Sequence, residues 1–315
     1  MSRKRLARLA ATVLVVGLVA YLFGRSLADN WAAVRELDIS VDGWAVASVL
    51  IFAAAVPLSG LLWGSMLTHL GAGPVPRLEA IRVQCLSWLL KYIPGQVGSV
   101  ANKVLWGGQR GISRALVVIT FVYENVFLLL GSIVPTVVVL FLADAFADAS
   151  HDLVSTLLPV AVALVPLALV MDRRVFRWGV NLVSRRALKK DVPPEYFLAP
   201  RPALGYQLAF LLPRVLNGVG FVLIAVSVLD VPSSTWVPLA ATYVLAGAVG
   251  IMAVLVPSGL GVREGVIVLL ASRYVPVEQA IVLSLLARLY STIGDGVVAA
   301  VYAGLSARIR QRGQS

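Results

Sequence analysis

One cysteine, Cys85, stands in the whole chain, which rules out an internal disulfide. Histidine is nearly as scarce. His69 and His151 lie far apart, and no Cys or His group has metal-ligand spacing. The chain has neither a nucleophile elbow nor a Walker loop, so transport fuelled directly by ATP would need another subunit. No cofactor and no metal is expected. Charge is the third scarcity. Only 14% of the 315 residues are charged and 59% are hydrophobic, with a mean hydropathy of +0.88. A soluble domain carries about 25% charged residues. The longest polar stretch, residues 172–202, is too short to build a core. The composition is that of a polytopic membrane protein, one transmembrane domain over residues 1–315. A net charge of +11 then reads as loops facing anionic headgroups rather than nucleic acid.

What is present is long apolar runs. Spanning helices need about 20 apolar residues, and such runs fall at 6–24, 44–70, 115–142, 153–171, 205–229, 236–256 and 279–305. The run at 6–24 follows a basic N-terminus and reads as a spanning helix rather than a cleaved leader. Two shorter segments, 78–106 and 262–274, complete the set. Basic residues before the first helix, after the fourth (Arg173 to Lys190) and at the end (Arg308, Arg310, Arg312) oppose acidic loops at Asp29–Asp42, Asp144–Asp152 and Asp230. Both termini are therefore expected in the cytoplasm. Residues 172–202 are expected to form a cytoplasmic basic interfacial loop and helix. In it Val175, Trp178, Gly179, Leu182 and Val183 share one face, Arg174, Arg177, Arg185 and Arg186 fall largely elsewhere, and Pro193-Pro194 ends it. A topology anchor suffices to explain it. The seven tryptophans read mostly as interface anchors, and Gly60 with Gly64 as a close helix contact.

Two stretches break the apolar rule: Lys91-Tyr92-Ile93-Pro94-Gly95-Gln96-Val97-Gly98 and Val256-Pro257-Ser258-Gly259-Leu260-Gly261-Val262-Arg263-Glu264. In each, Gly follows Pro by four positions, and charges are attached. Interrupted backbone at membrane depth is tolerated only where protein or a polar cavity surrounds it, and paired interruptions point to a transport site. The fold class is thus all-α, a polytopic transmembrane bundle with two broken or re-entrant segments. Ionisable groups inside spans are costly and therefore informative. They are Glu124, Arg214, Arg288 and Asp295, with Arg263 and Glu264 at the second break and Lys91 and Lys103 around the first. Arg288 and Asp295 lie seven apart, on one helix face. The set is expected to line one polar cavity. Arginine forks and free helix N–H groups near Gly259 and Gly261, and near Pro94 and Gly98, would cradle a phosphate. Against this, Glu264 can merely cap its own helix, Arg288 can pair with Asp295 or Glu124 for packing, and Lys91 and Lys103 can snorkel to the interface.

The Pro94-Gly95-Gln96-Val97-Gly98 and Pro257-Ser258-Gly259-Leu260-Gly261-Val262-Arg263-Glu264 runs resemble the signature segments of the lysylphosphatidylglycerol synthase transmembrane region, a flippase-like integral membrane family. That family commonly has Gly where Ser258 stands. Arg288 matches its later arginine, and Glu124 its acidic residue, although Asn125 replaces the arginine that often follows. The resemblance spans about residues 6–305. It implies an inner-membrane protein that moves a phosphate-bearing lipid between leaflets, such as an aminoacyl phospholipid or a polyprenyl-phosphate glycolipid. It implies no enzyme: with the chain stopping at Ser315, no soluble aminoacyl-transferase domain is expected. The partners implied are membrane lipids with anionic phosphate headgroups, and a homo-oligomer is compatible. A membrane enzyme acting on a lipid-linked substrate, a carrier for a small organic anion and a non-transporting assembly factor stay open.

Overall fold

The computed structural model describes residues 42–92, 97–147, 153–188, 191–253, 259 and 261–312. The expected helix at 6–24, Pro94 and the Val256-Pro257-Ser258 part of the second break lie outside the described residues. All regular structure among the described residues is helical. Five helices there are long and apolar enough to cross a membrane, as a multi-pass membrane protein requires.

The helices are α1 (Gly43–Leu67), α2 (Arg77–Leu89), α3 (Val97–Gln109), α4 (Arg114–Ala147), α5 (Leu153–Met171), α6 (Arg173–Leu188), α7 (Pro200–Ala209), α8 (Leu211–Val228), α9 (Trp236–Met252), α10 (Val262–Ala271) and α11 (Val277–Arg312). The run expected as a single span at 205–229 lies within one apolar stretch, Pro194–Val228, long enough to cross, with a break in its helix between α7 and α8. Pro213 lacks an N–H and its ring crowds the carbonyl of Ala209, so the helix kinks at Phe210, which itself stays in the right-handed helical region. α5 and α6 meet at Asp172, whose Oδ1 accepts the N–H groups of Arg174 and Val175 at 2.8 and 2.9 Å. Those backbone bonds, Val175 first, hold the Asp172 carboxyl below the usual carboxylate range.

The chain forms two compact units, Met1–Ala54 with Leu89–Gly98 and Val215–Val298, and Ala55–Trp88 with Ser99–Arg214 and Ala299–Ser315. The first unit is built on an aromatic stack. Tyr243 of α9 lies 4.9 Å from Phe221 of α8 and 5.2 Å from Phe52 of α1, centroid to centroid. Small residues let the helices close on it. A Cβ at Gly220 would stand 2.8 Å from the Phe52 ring, and Ser48 donates to the Gly220 carbonyl at 2.7 Å. α9 and α10 pack side by side. Gly259 sits at φ +64°, and a Cβ there would fall 2.7 Å from Cα of Gly250, so only glycine fits.

The second unit contains a helical hairpin. α2 and α3 have 13 residues each, about 20 Å of helix. That is too short for a hydrocarbon layer of about 30 Å. They run antiparallel, joined by polar bonds. Ser99 Oγ donates to the Ser87 carbonyl at 2.6 Å, Asn102 to the Val83 carbonyl at 3.0 Å, and Trp106 to Glu79 at 3.3 Å. The expected re-entrant pair thus has its two arms in register. α1 packs on α2 through the expected small residues: a Cβ at Gly60 would lie 2.7 Å from Gln84 Cβ, and one at Gly64 2.6 Å from Ala80 Cβ. The tryptophan reading needs correction here. Trp63 is fully buried and Trp106 nearly so, with rings 5.5 Å apart. Their indole N–H groups find partners inside the unit, Thr120 for Trp63 at 3.2 Å, which lets a polar-edged ring serve as core.

Gly64→Leu is expected to force α1 from α2 and lower stability by about 1–3 kcal/mol. Gly304→Ala, where a Cβ meets open space, is expected to be neutral or slightly stabilising. Thermal unfolding of the two variants in one detergent checks the contrast.

Candidate functional site

In the first unit the charged residues of both interrupted segments come together. Gly261, at φ +79°, opens α10. Glu264 sits one turn further on, buried, and its Oε2 accepts the Gly261 N–H at 2.5 Å. The carboxylate therefore does cap its own helix, as an acid in a first turn should. Its other oxygen faces Arg288 of α11 at 3.6 Å. That distance is an ion pair but too long for a hydrogen bond. Arg263 lies over the ring of Tyr243 at 4.3 Å. The aromatic stack of the core thus ends in a guanidinium, held by a cation–π contact.

The first break contributes Lys91. Its Nζ bonds both carboxylate oxygens of Asp295 on α11, at 2.9 and 2.8 Å. Arg263 and Arg288 lie within electrostatic reach of the same ammonium. Arg288 and Asp295 also act on Tyr243. Three cations and two buried carboxylates share this place. Among these five groups one positive charge is left over, which suits an anion with several oxygens.

The second unit holds a different kind of ion pair. Lys103 of α3 is almost fully buried and donates to Oε2 of Glu124 on α4, itself buried. Gln84 of α2 donates to the other oxygen, Oε1, at 2.7 Å. The ammonium also lies 4.3 Å from the Trp63 ring and 5.5 Å from Phe121. The pair closes the hairpin against α4. Arg214, at the start of α8, is buried as well and donates through Nε to the Leu128 carbonyl at 3.1 Å.

The sequence-selected residues thus divide. Arg263, Glu264, Arg288 and Asp295 gather in the first unit, at the segment bearing Gly259 and Gly261. Glu124, Lys103 and Arg214 make their described contacts within the second. Gly98 is buried in the first turn of α3, and Pro94 lies outside the described residues. Three expectations change. Neither Lys91 nor Lys103 snorkels, because each has a carboxylate at bonding distance. The ion pair described for Arg288 is with Glu264, and the one described for Asp295 is with Lys91. The free N–H groups expected at the α10 start are partly used, since Glu264 takes that of Gly261. Sequence reasoning missed Tyr243 and Gln84 altogether. Tyr243 had no signal beyond a polar-tipped ring amid an apolar run. Gln84 had a usable one, an amide flanked by Val83 and Cys85.

Removing one member of the dry pair is expected to be costly. Lys103→Met or Glu124→Gln alone should lose about 3–5 kcal/mol, because a buried charge or an orphaned acceptor is left behind. The double variant Lys103→Met with Glu124→Leu should recover much of it. A double-mutant cycle on thermal unfolding reads the coupling.

A comparison with curated proteins returns no match. A family model does match, over residues 8–299, which takes in both interrupted segments and every charged residue of the two groups described above. The chain belongs to the family described as the lysylphosphatidylglycerol synthase TM region.

Proposed function

We propose that this membrane protein moves a phosphate-bearing lipid between leaflets, without altering it chemically. Membership of a family of lipid-acting membrane regions supplies the class. The observation that carries the finer reading is the convergence of Lys91, Arg263 and Arg288 on one place fed by both interrupted segments.

A lipid phosphate entering the cluster would replace protein carboxylates as the partner of the arginines. The geometry favours Arg288 for the exchange, since its 3.6 Å separation from Glu264 is the longer of the two ion pairs described in the group. Glu264 would keep the Gly261 N–H throughout, so α10 stays capped while its second oxygen is released. Arg263 would present its fork from a fixed plane above Tyr243. Asp295 holds Lys91 when the site is empty and would offer the same carboxylate to the ammonium of an aminoacyl headgroup. In such an exchange Arg288 passes from one anionic partner to another without standing alone. That is the condition for moving an ion through a layer that cannot solvate it. The acyl chains would remain in lipid.

In proteoliposomes carrying a fluorescent phosphatidylglycerol analogue, Arg263→Ala and Arg288→Ala are each expected to slow translocation at least about tenfold, the worth of one charged hydrogen bond. Lys91→Gln is expected to slow it as well. Amounts of inserted, monodisperse protein should match wild type. Unchanged rates in the two arginine variants would remove the site. A covalently altered lipid recovered from the vesicles would instead favour an enzyme.

A further inference from the structure

α6 carries five arginines that the translocation reading does not use, and four of them, Arg173, Arg174, Arg177 and Arg185, line one groove. The inner side of α6 is Phe176 and Val180, both partly buried. Phe176 stacks at 4.6 Å on Tyr123 of α4, and both side chains join the core of the second unit. That seating fixes which residues face outward. Arg173, Arg177 and Arg185 stand on one row at four-residue steps, with the buried Asn181 between the last two, and Arg174, Trp178 and Leu182 form the adjacent row. Residues four apart are neighbours on a helix surface, so the two rows make one stripe. The expectation that Trp178 and Leu182 stand apart from the arginines is thereby corrected: they share the stripe.

The stripe is one wall of a groove of about 490 Å³, within the range of ligand pockets. The other wall is the return loop with Asp191 and Pro194. Three bonds brace that loop to the helix. Arg185 bonds Asp191 through two nitrogens, at 2.5 and 2.8 Å. Arg173 donates to the Pro194 carbonyl. Asn181 Oδ1 accepts the Val192 N–H at 2.9 Å. Two of the four arginines are thus structural. Arg174 and Arg177 remain, exposed, with no side-chain hydrogen bond to a described residue. Between them in the adjacent row stands Trp178, 68% exposed, and further on Leu182, 43% exposed.

We infer that this groove binds the headgroup of an anionic phospholipid, its phosphate held by Arg174 and Arg177 and its glycerol and first acyl carbons covered by Trp178 and Leu182. Charge complementarity selects an anion. Exposed apolar side chains interleaved with the arginines select a lipid over a free phosphate, because a soluble anion gains nothing from an indole or a leucine. A bilayer surface offers both chemistries at one depth. The groove makes α6 a lipid-reading element rather than a general basic anchor. The argument does not use translocation in the first unit, and the two readings fail separately.

The test uses the full chain in phosphatidylcholine nanodiscs, with an environment-sensitive fluorophore at Gly179→Cys. A Cβ at Gly179 meets nothing within 4 Å, and the native Cys85 is buried, so labelling is local. Dihexanoyl phosphatidylglycerol is expected to give a saturable change, and dihexanoyl phosphatidylcholine none. Arg174→Gln with Arg177→Gln should raise the half-saturation concentration about thirtyfold, from roughly fivefold per charge. Inorganic phosphate at the same concentrations should give no change. Equal responses to the two lipids, or an unshifted double variant, would overturn the inference. A full response to inorganic phosphate would reassign the groove to a soluble anion and overturn it too. Should the double variant not fold, the lipid comparison on the wild-type background decides alone.

Discussion

The carboxylate of Glu264 does two things at once, and the architecture of the first unit turns on it. One oxygen takes the Gly261 N–H and so allows a helix to begin where a bilayer would otherwise leave backbone unpaired. The other oxygen faces Arg288 on a neighbouring helix. The interruption of the chain and the presence of a buried cation are therefore one problem with one solution. The surrounding glycines serve the same end. Gly259 presses onto Gly250, which brings α10 against α9 and sets Arg263 over Tyr243.

The two ion groups differ in how tightly they are held. Lys103 and Glu124 are sealed among aromatic rings, with Gln84 completing the carboxylate's bonds. A pair so enclosed fixes packing, and breaking it costs far more than its net worth. The cluster of Lys91, Arg263, Glu264, Arg288 and Asp295 is more open and contains a pair held beyond hydrogen-bond range. It also has a cation in excess among its named members. Ions arranged loosely enough to change partners are what a transported anion needs, whereas ions locked in ideal geometry would resist it. The four groove arginines of α6 follow the same division: Arg173 and Arg185 are tied to the loop, and Arg174 and Arg177 make no described hydrogen bond to it.

Much of this was legible in the sequence because bilayers impose long, unambiguous runs. The helical class, the hairpin arms at α2 and α3, and the Gly60 and Gly64 contact all follow from run length and residue size. The kink at Phe210 was readable from Pro213, inside an apolar run that still makes one span. Charged residues inside spans announced themselves by their cost, yet their pairing did not. Arg288 and Asp295 share a face, and spacing alone favours joining them. Their actual partners, Glu264 and Lys91, come from other segments, and only tertiary packing brings these within reach. Tyr243 was invisible for a related reason: its role depends on Phe52, Phe221 and Arg263, none of them near it in sequence. On α6 the hydrophobic pattern suggested two faces, whereas burial of Phe176 and Val180 decides which residues are left outside.

The most direct measurement is an experimental density map of the protein in nanodiscs rich in phosphatidylglycerol. The account predicts phosphate density within hydrogen-bond reach of Arg263 and Arg288, with Arg288 moved further from Glu264 than 3.6 Å. An empty cluster in which Arg288 has closed onto Glu264, with headgroups bound only elsewhere, would contradict it.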